Sequence, residues 1–462
     1  MFQSISGAQI IAGLTASLVM LSTGYHYGWS SPSLPKLQSG EEDFTLTSGQ
    51  GAWIVSMLTV GGLCGSPTAT ILIDKIGRKL TLLLTSVPLI CSGVLLCVAQ
   101  GYWWLIAARF IAGIGTGMSY VASPMYVAEI SSDNIRGALS STLNYMTAFG
   151  TLVAYVVGPW VSRAVLASIG LIFPVAFVLI FISMPESPYF WIMKNKEEEA
   201  IKSLRRLKGV DEVSADVEKV KTSTTFDKQN AASYKDLVLV PGNRKALIIV
   251  LGLVIAQQFS GSMAILSYSG LIIDAAGSSL DSNISLIIIG LVQVGSSVLC
   301  IFVVDLAGRK VLLLGSALGV AVSLGAVAVY FQLQAAGIDV SSISLLPLLG
   351  LGVFLFAYAI GLGPLQQVVL GEVFPYNVKA LAVMVTTLTG SLGAVTVAKL
   401  YQIVADLWGI QASLWGFAGI TVLSALFILF FVPETKQKSL LNIQEQLHKT
   451  TESTTELEKS AK

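Results

Sequence analysis

The chain has 462 residues, of which 54% are hydrophobic and only 12% charged, with 28 basic and 27 acidic side chains. A soluble domain carries about 25% charged residues, so this composition cannot coat a water-soluble particle and excludes an ordinary cytosolic enzyme, a disordered chain and a nucleic-acid binder. The four cysteines, Cys64, Cys91, Cys97 and Cys300, lie in apolar runs without metal or disulfide spacing, so they read as packing residues, and no metal or cofactor is expected.

A membrane helix needs about 20 mostly apolar residues. Twelve runs qualify in chain order: 8–30, 51–73, 80–99, 104–127, 140–160, 165–184, 246–272, 285–304, 311–331, 344–370, 378–400 and 413–432. They show neither the polar face of a soluble helix nor the alternation of a membrane barrel strand. The first run has no basic segment ahead of it and is too long for a signal peptide, so it reads as a retained span. Residues 185–245 interrupt the pattern with dense charge, including KNKEEEAIKSLRRLKG (194–209). They divide the chain into a six-span bundle (1–184), a linker with short amphipathic helices, a second six-span bundle (246–432) and a polar tail (433–462).

The short loops sort by charge. DKIGRK (74–79), the 133–136 turn and DLAGRK (305–310) are basic, whereas the 31–50 and 273–284 loops are mostly acidic. The positive-inside rule then puts the linker and both termini in the cytoplasm. The halves also repeat. DKIGRK recurs as DLAGRK, EISSDNIRG (129–137) as EVFPYNVKA (372–380), and PESP (185–188) as PETK (433–436). Paired six-span repeats around a midplane site are the build of alternating-access carriers.

Positive-inside placement explains the bases at these loops but not the acids set repeatedly beside them. Asp74, Arg78, Lys79, Glu129, Arg136, Asp305, Arg309, Glu372 and Lys379 are therefore expected to form ion pairs that link the two halves. Arg109 opens span 4 with Gly113 and Gly117 at +4 and +8, a spacing that lets helix backbones approach closely. Arg109 itself is expected to meet an acid such as Asp74 or Glu129. On span 7, Gln257, Gly261, Ala264 and Tyr268 stack on one face if the helix is continuous, with Gln258 beside them. Adjacent glutamines in hydrocarbon need partners, from another helix or from a ligand. Span 10 carries GLGP (361–364), and glycine and proline this dense break a helix beside a cavity, so Gly361, Gly363 and Pro364 read as a hinge.

Taken together, the GRK loops, Arg109 with its glycines, PMYVAE (124–129), PESPYFW (185–191), QQFSG (257–261) and PETKQKSL (433–440) resemble the sugar-porter family of the major facilitator superfamily. SSPSLPKL (30–37) brings the insect trehalose and glucose facilitators closest. The resemblance implies a major facilitator fold of twelve transmembrane helices in two pseudo-symmetric bundles, all-α, with a cytoplasmic helical linker. It implies sugar contacts from Gln257, Gln258, Gln293 and Asn144, since an amide both donates to and accepts from hydroxyls; Tyr268, on the Gln257 face, and Gln367, where the family has a tryptophan, are expected beside them. It also implies pairing of Glu129 with Arg136, Asp305 with Arg309, and Glu372 with Lys379.

The chain departs from the family pattern at Met263, Ala359, Gln366, Gln367 and Gly390, all near the expected pocket. Span 1 holds His26 where proton-driven relatives place an aspartate, which favours downhill uniport of a neutral hexose or trehalose. Two rivals stay open. One is a sugar receptor on a carrier scaffold, and the other a proton-coupled symporter. Neither is an enzyme. A monomer in contact with lipid, at the plasma membrane, is the expected form. Asn283-Ile284-Ser285 is a glycosylation sequon close to the membrane on a loop expected outside.

Overall fold

The computed structural model describes residues 7–229, 234–278, 280–303, 308–374 and 376–435. The first half holds α1 (Gly7–Ser39), α2 (Ser48–Ile76), α3 (Arg78–Val98), α4 (Tyr102–Ile130), α5 (Asp133–Val157) and α6 (Arg163–Phe181). The linker holds α7 (Pro188–Met193), α8 (Glu197–Lys208), α9 (Ser214–Gln229) and α10 (Tyr234–Leu239). The second half holds α11 (Pro241–Phe259), α12 (Ser262–Ala276), α13 (Ser282–Val303), α14 (Arg309–Ala335), α15 (Leu346–Ile360), α16 (Leu365–Val373), α17 (Tyr376–Trp408) and α18 (Ile410–Phe431). Among the described residues, eleven helical spans are long and apolar enough to cross a membrane, counting α11 with α12 and α15 with α16 as one each. Helix α5 falls outside that count because Ser140, Ser141, Thr142, Asn144, Thr147 and Thr151 dilute its hydropathy, yet it packs along α1 and α13.

Local chemistry sets the boundaries. Thr47 and Gln50 form a reciprocal capping box that starts α2. Linker helix α8 opens on Glu197, Glu198 and Glu199 and ends on Arg205, Arg206 and Lys208, each group complementing the helix dipole at its end. Gly209 closes it in the left-handed conformation. Leu207, on the opposite face, packs into the core of the first half.

Helices α2 and α4 cross with their backbones in close contact. A Cβ at Gly113 would lie 2.1 Å from the Leu58 carbonyl oxygen, and one at Gly61 would lie 2.0 Å from that of Phe110. Gly65 faces Ile114 and Gly117 faces Gly62 in the same way, so backbone packs on backbone with no side chain between.

The halves meet through α1 on α12, α2 on α17 and α5 on α13. The named contacts gather at the end away from the linker. Ser31 Oγ accepts the Gly270 N–H at 2.8 Å. The Tyr155 hydroxyl donates to Leu266 O at 2.6 Å. Ser48 Oγ donates to Asp406 at 2.7 and 2.8 Å, and Gln402 Nε2 donates to both of them. Lys399 Nζ sits 4.2 Å above the Trp53 ring. Leu34, Val55 and Tyr155 of the first half belong to the apolar core of the second. The far end is thus locked by a polar latch over an apolar seam.

Candidate functional site

Two helix breaks build the centre. Span 7 is not continuous. Helix α11 ends at Phe259, Gly261 turns the chain with φ +82°, and α12 starts at Ser262. A side chain at Gly261 would be strained by that φ, and its Cβ would lie 2.5 Å from the Phe417 ring. The second break, 361–364, separates α15 from α16. Ser316 Oγ clamps it, accepting the Leu362 N–H at 2.9 Å and donating to Ala357 O at 2.7 Å.

Gln257 joins the breaks, its Nε2 donating to Gly363 O at 2.8 Å. Gln258 Nε2 approaches Gln257 Oε1 at 3.5 Å, and its stem packs on Gly393 of α17 beside Gly390. Both glutamines are half-buried. Tyr358 interacts with the side chains of Gln257 and Ser262. Gln293 is half-buried on α13, its Oε1 shielded and without a hydrogen-bond partner among the described residues. Asn144 is exposed on α5. These two helices form one seam between the halves, where Gly290 faces Leu152 and Tyr155.

The break at Gly261 removes Tyr268 from the face of Gln257. Tyr268 is only 1% exposed, packed 4.9 Å from the Tyr401 ring in the core of the second half. Of the adjacent pair on α16, Gln366 is buried with an unpartnered Oε1, whereas Gln367 is exposed. Met263 and Ala359 are half-buried.

Among the described residues the ion pairs at these loops lie within each half, contrary to the expectation that they link the two. Arg78 Nε meets Glu129 at 2.9 Å, with Asp74 more distant at 3.9 Å. Glu129 also accepts from the Ser187 hydroxyl. Glu186 accepts the backbone N–H groups of Arg78, Lys79 and Ser187. Burial pushes the Glu186 carboxyl above its ordinary value, against the pull of those amides.

The second half repeats the device: Arg309 meets Glu372 at 3.1 Å, Thr435 donates to Glu372, and Glu434 accepts the N–H groups of Arg309 and Lys310. The partners implied for Glu129 and Glu372 are therefore corrected. Arg136 instead donates to the carbonyls of Ala128 and Ser131, and Lys379 to that of Gly371. The reason is helix register: Arg78 and Arg309 start the neighbouring helices and reach the carboxylates across the crossing. Asp305 lies outside the described residues. The repeated PES and PET triplets were the available signal for Glu186, Ser187, Glu434 and Thr435.

Arg109 corrects another expectation. Among the described residues no carboxylate lies within ion-pair distance of it. Its Nη1 donates to His26 O at 2.7 Å, its Nη2 to Ser30 Oγ at 2.9 Å, and its guanidinium stacks 5.2 Å from the Trp29 ring. Asp74 and Glu129 stand at the linker end, engaged with Arg78. The Asn283 N–H donates to Asp281 Oδ1, and Ser285 of the sequon is fully buried.

The sequence pattern of the family described as Sugar (and other) transporter matches residues 12–447. The chain is 31% identical over 445 residues to facilitated trehalose transporter Tret1 of Drosophila yakuba, covering 95% of this chain but 52% of that protein. It is 30% identical over 443 residues to the Tret1-2 homolog of Drosophila sechellia, covering 95% of this chain and 91% of that protein. Among solved structures it resembles the inward open xylose transporter XylE of E. coli, with TM-score 0.79, 24% identity and coverage of 95% of this chain and 99% of that one. It also resembles the proton:xylose symporter XylE bound to 6-bromo-6-deoxy-D-glucose, with TM-score 0.76, 26% identity and coverage of 96% and 100%. The match along almost the whole length, on a helical repeat with broken spans 7 and 10, means that this chain belongs to the sugar transporter family of the major facilitator superfamily.

Proposed function

We propose that this chain is a facilitative carrier of a neutral sugar, a hexose or trehalose, working as a uniporter by alternating access. The observation that carries the reading is the 2.8 Å bond from Gln257 to Gly363 O, which ties an uncharged carboxamide to the break in span 10. A sugar hydroxyl can replace that carbonyl as acceptor, because each hydroxyl both donates and accepts. The exchange releases Gly361, Gly363 and Pro364 to move while Gln257, Gln258, Gln293, Asn144 and Gln367 gather the solute. The Ser48–Gln402–Asp406 latch then opens as the linker end closes. Each latch must be worth only a few kcal/mol, or one state would trap the carrier. The basic loops favour a cytoplasmic linker end with both termini on that side, and we place the chain in the plasma membrane as a monomer.

Proton coupling is the second reading, favoured by the symporter description of XylE. A coupling acid beside an arginine alternates between ion pair and neutral acid. An imidazole cannot form that pair, and Arg109 takes the His26 carbonyl and Ser30 instead. Uptake of labelled glucose and trehalose into proteoliposomes, with and without a pH gradient, distinguishes the two. The expected result is gradient-independent uptake that falls at least tenfold in Gln257→Ala. Gradient-driven accumulation of sugar would establish coupling, and binding without flux would establish a receptor.

A further inference from the structure

The four glutamines at the two breaks offer no flat surface of their own for the apolar face of a sugar ring. Gln257, Gln258, Gln366 and Gln367 offer only amides at the two breaks. Three tyrosines supply the missing surface. Tyr27 of α1 and Tyr120 of α4 approach with ring centroids 6.3 Å apart at 60°, and their phenol groups interact. Tyr120 also interacts with Thr147 of α5 and lies within electrostatic reach of Tyr358 on α15. Tyr358 in turn interacts with Gln257. The cluster therefore reaches from the first half toward the carboxamides of the second.

Tyr120 is nevertheless 43% exposed. Its contacts come from Tyr27 on α1 and Thr147 on α5, and Tyr358 on α15 lies within electrostatic reach, so its open area is turned toward the other half. An aromatic face is negative, and the C–H groups on one side of a pyranose are weakly positive, so the two attract when stacked. The hydroxyls around the rim can trade hydrogen bonds with the ring's own.

We infer that Tyr120, flanked by Tyr27 and Tyr358, is the aromatic platform on which a pyranose ring stacks, and that it fixes affinity from the first half while Gln257 holds the hydroxyls from the second. The inference rests on the sugar-carrier reading and adds a subsite to it. Because Tyr120 and Gln257 belong to different halves, a stacked ring bridges them and is the piece that lets the halves close together.

The test compares Tyr120→Phe, Tyr120→Leu and Tyr120→Ala with wild type and Gln257→Ala in proteoliposomes, reading KM and maximal rate for trehalose and glucose. Sugar-dependent thermal shift of the purified protein is read in parallel. Tyr120→Phe keeps the ring and is expected to stay within about threefold of the wild-type KM. Tyr120→Leu, which keeps bulk without the ring, is expected to raise KM about tenfold or more with a maximal rate near wild type, and to abolish the sugar-induced thermal shift. Tyr120→Ala is expected to match it. An unchanged KM in Tyr120→Leu, or a fall in maximal rate alone, would overturn the platform. If Gln257→Ala loses transport while Tyr120→Leu behaves as wild type, the platform fails and the carrier reading stands. If Gln257→Ala transports normally, the carrier site itself is misread.

Discussion

Replacing Arg78 with leucine is expected to destabilise the protein by about 3–5 kcal/mol, the usual cost of removing one partner from a buried ion pair. The Arg78 side chain is 1% exposed and that of Glu129 13%. Without the guanidinium, Glu129 keeps only the Ser187 hydroxyl and stays stranded at the edge of the hydrocarbon. The guanidinium also lies over the rings of Tyr189 and Phe190, 5.5 and 5.7 Å from their centroids, so its loss loosens α7 and with it the linker. Arg309→Leu should cost less, because Arg309 and Glu372 are 15% and 27% exposed and water takes over part of the lost interaction. Melting of the purified variants checks the order. Arg78→Leu should melt well below Arg309→Leu, and the double variant Arg78→Leu/Glu129→Leu should recover part of the loss. Equal melting of both single variants would show that the pairs are not the stabilising element.

Gly113→Leu is expected to prevent folding outright. A Cβ there would overlap the Leu58 carbonyl oxygen at 2.1 Å, and the obstacle is backbone, which cannot rotate away. Ordinary overpacking costs about 1–3 kcal/mol because side chains give way. Here α2 would have to leave α4, taking the paired glycines 61 and 65 with it. The measurement is the monodisperse fraction by fluorescence-detected size exclusion. Gly113→Leu should yield almost none, whereas Gly315→Ala, with nothing within 4 Å of its added Cβ, should match wild type. A folded, monodisperse Gly113→Leu would refute the close crossing.

The architecture was legible because a membrane helix is written as an unbroken apolar run, and eleven spans carry that mark. Helix α5 was legible by length although its hydroxyl residues lower its hydropathy, and GLGP announced the break in span 10. The break in span 7 was not. A single Gly261 between Ser260 and Ser262 does not distinguish a packing glycine from a left-handed turn, and that one φ moved Tyr268 off the face of Gln257 into a core. The charged motifs were legible as motifs, but their partners were not. The family resemblance implied pairs such as Glu129 with Arg136, while the crossing of α3 and α4 brings Arg78 to Glu129 instead. The tyrosine pair left no local signal at all, because Tyr27 and Tyr120 meet only where α1 and α4 converge, with Tyr358 of the other half within electrostatic reach.

The central claim, a carrier that exposes one sugar site alternately to each side, is tested most directly by counterflow. Proteoliposomes loaded with unlabelled trehalose or glucose and diluted into a trace of the labelled sugar should show a transient internal excess of label, with no pH gradient imposed. That overshoot should vanish in Gln257→Ala. Equilibration without overshoot, or no entry of label at all, would contradict an alternating-access sugar carrier.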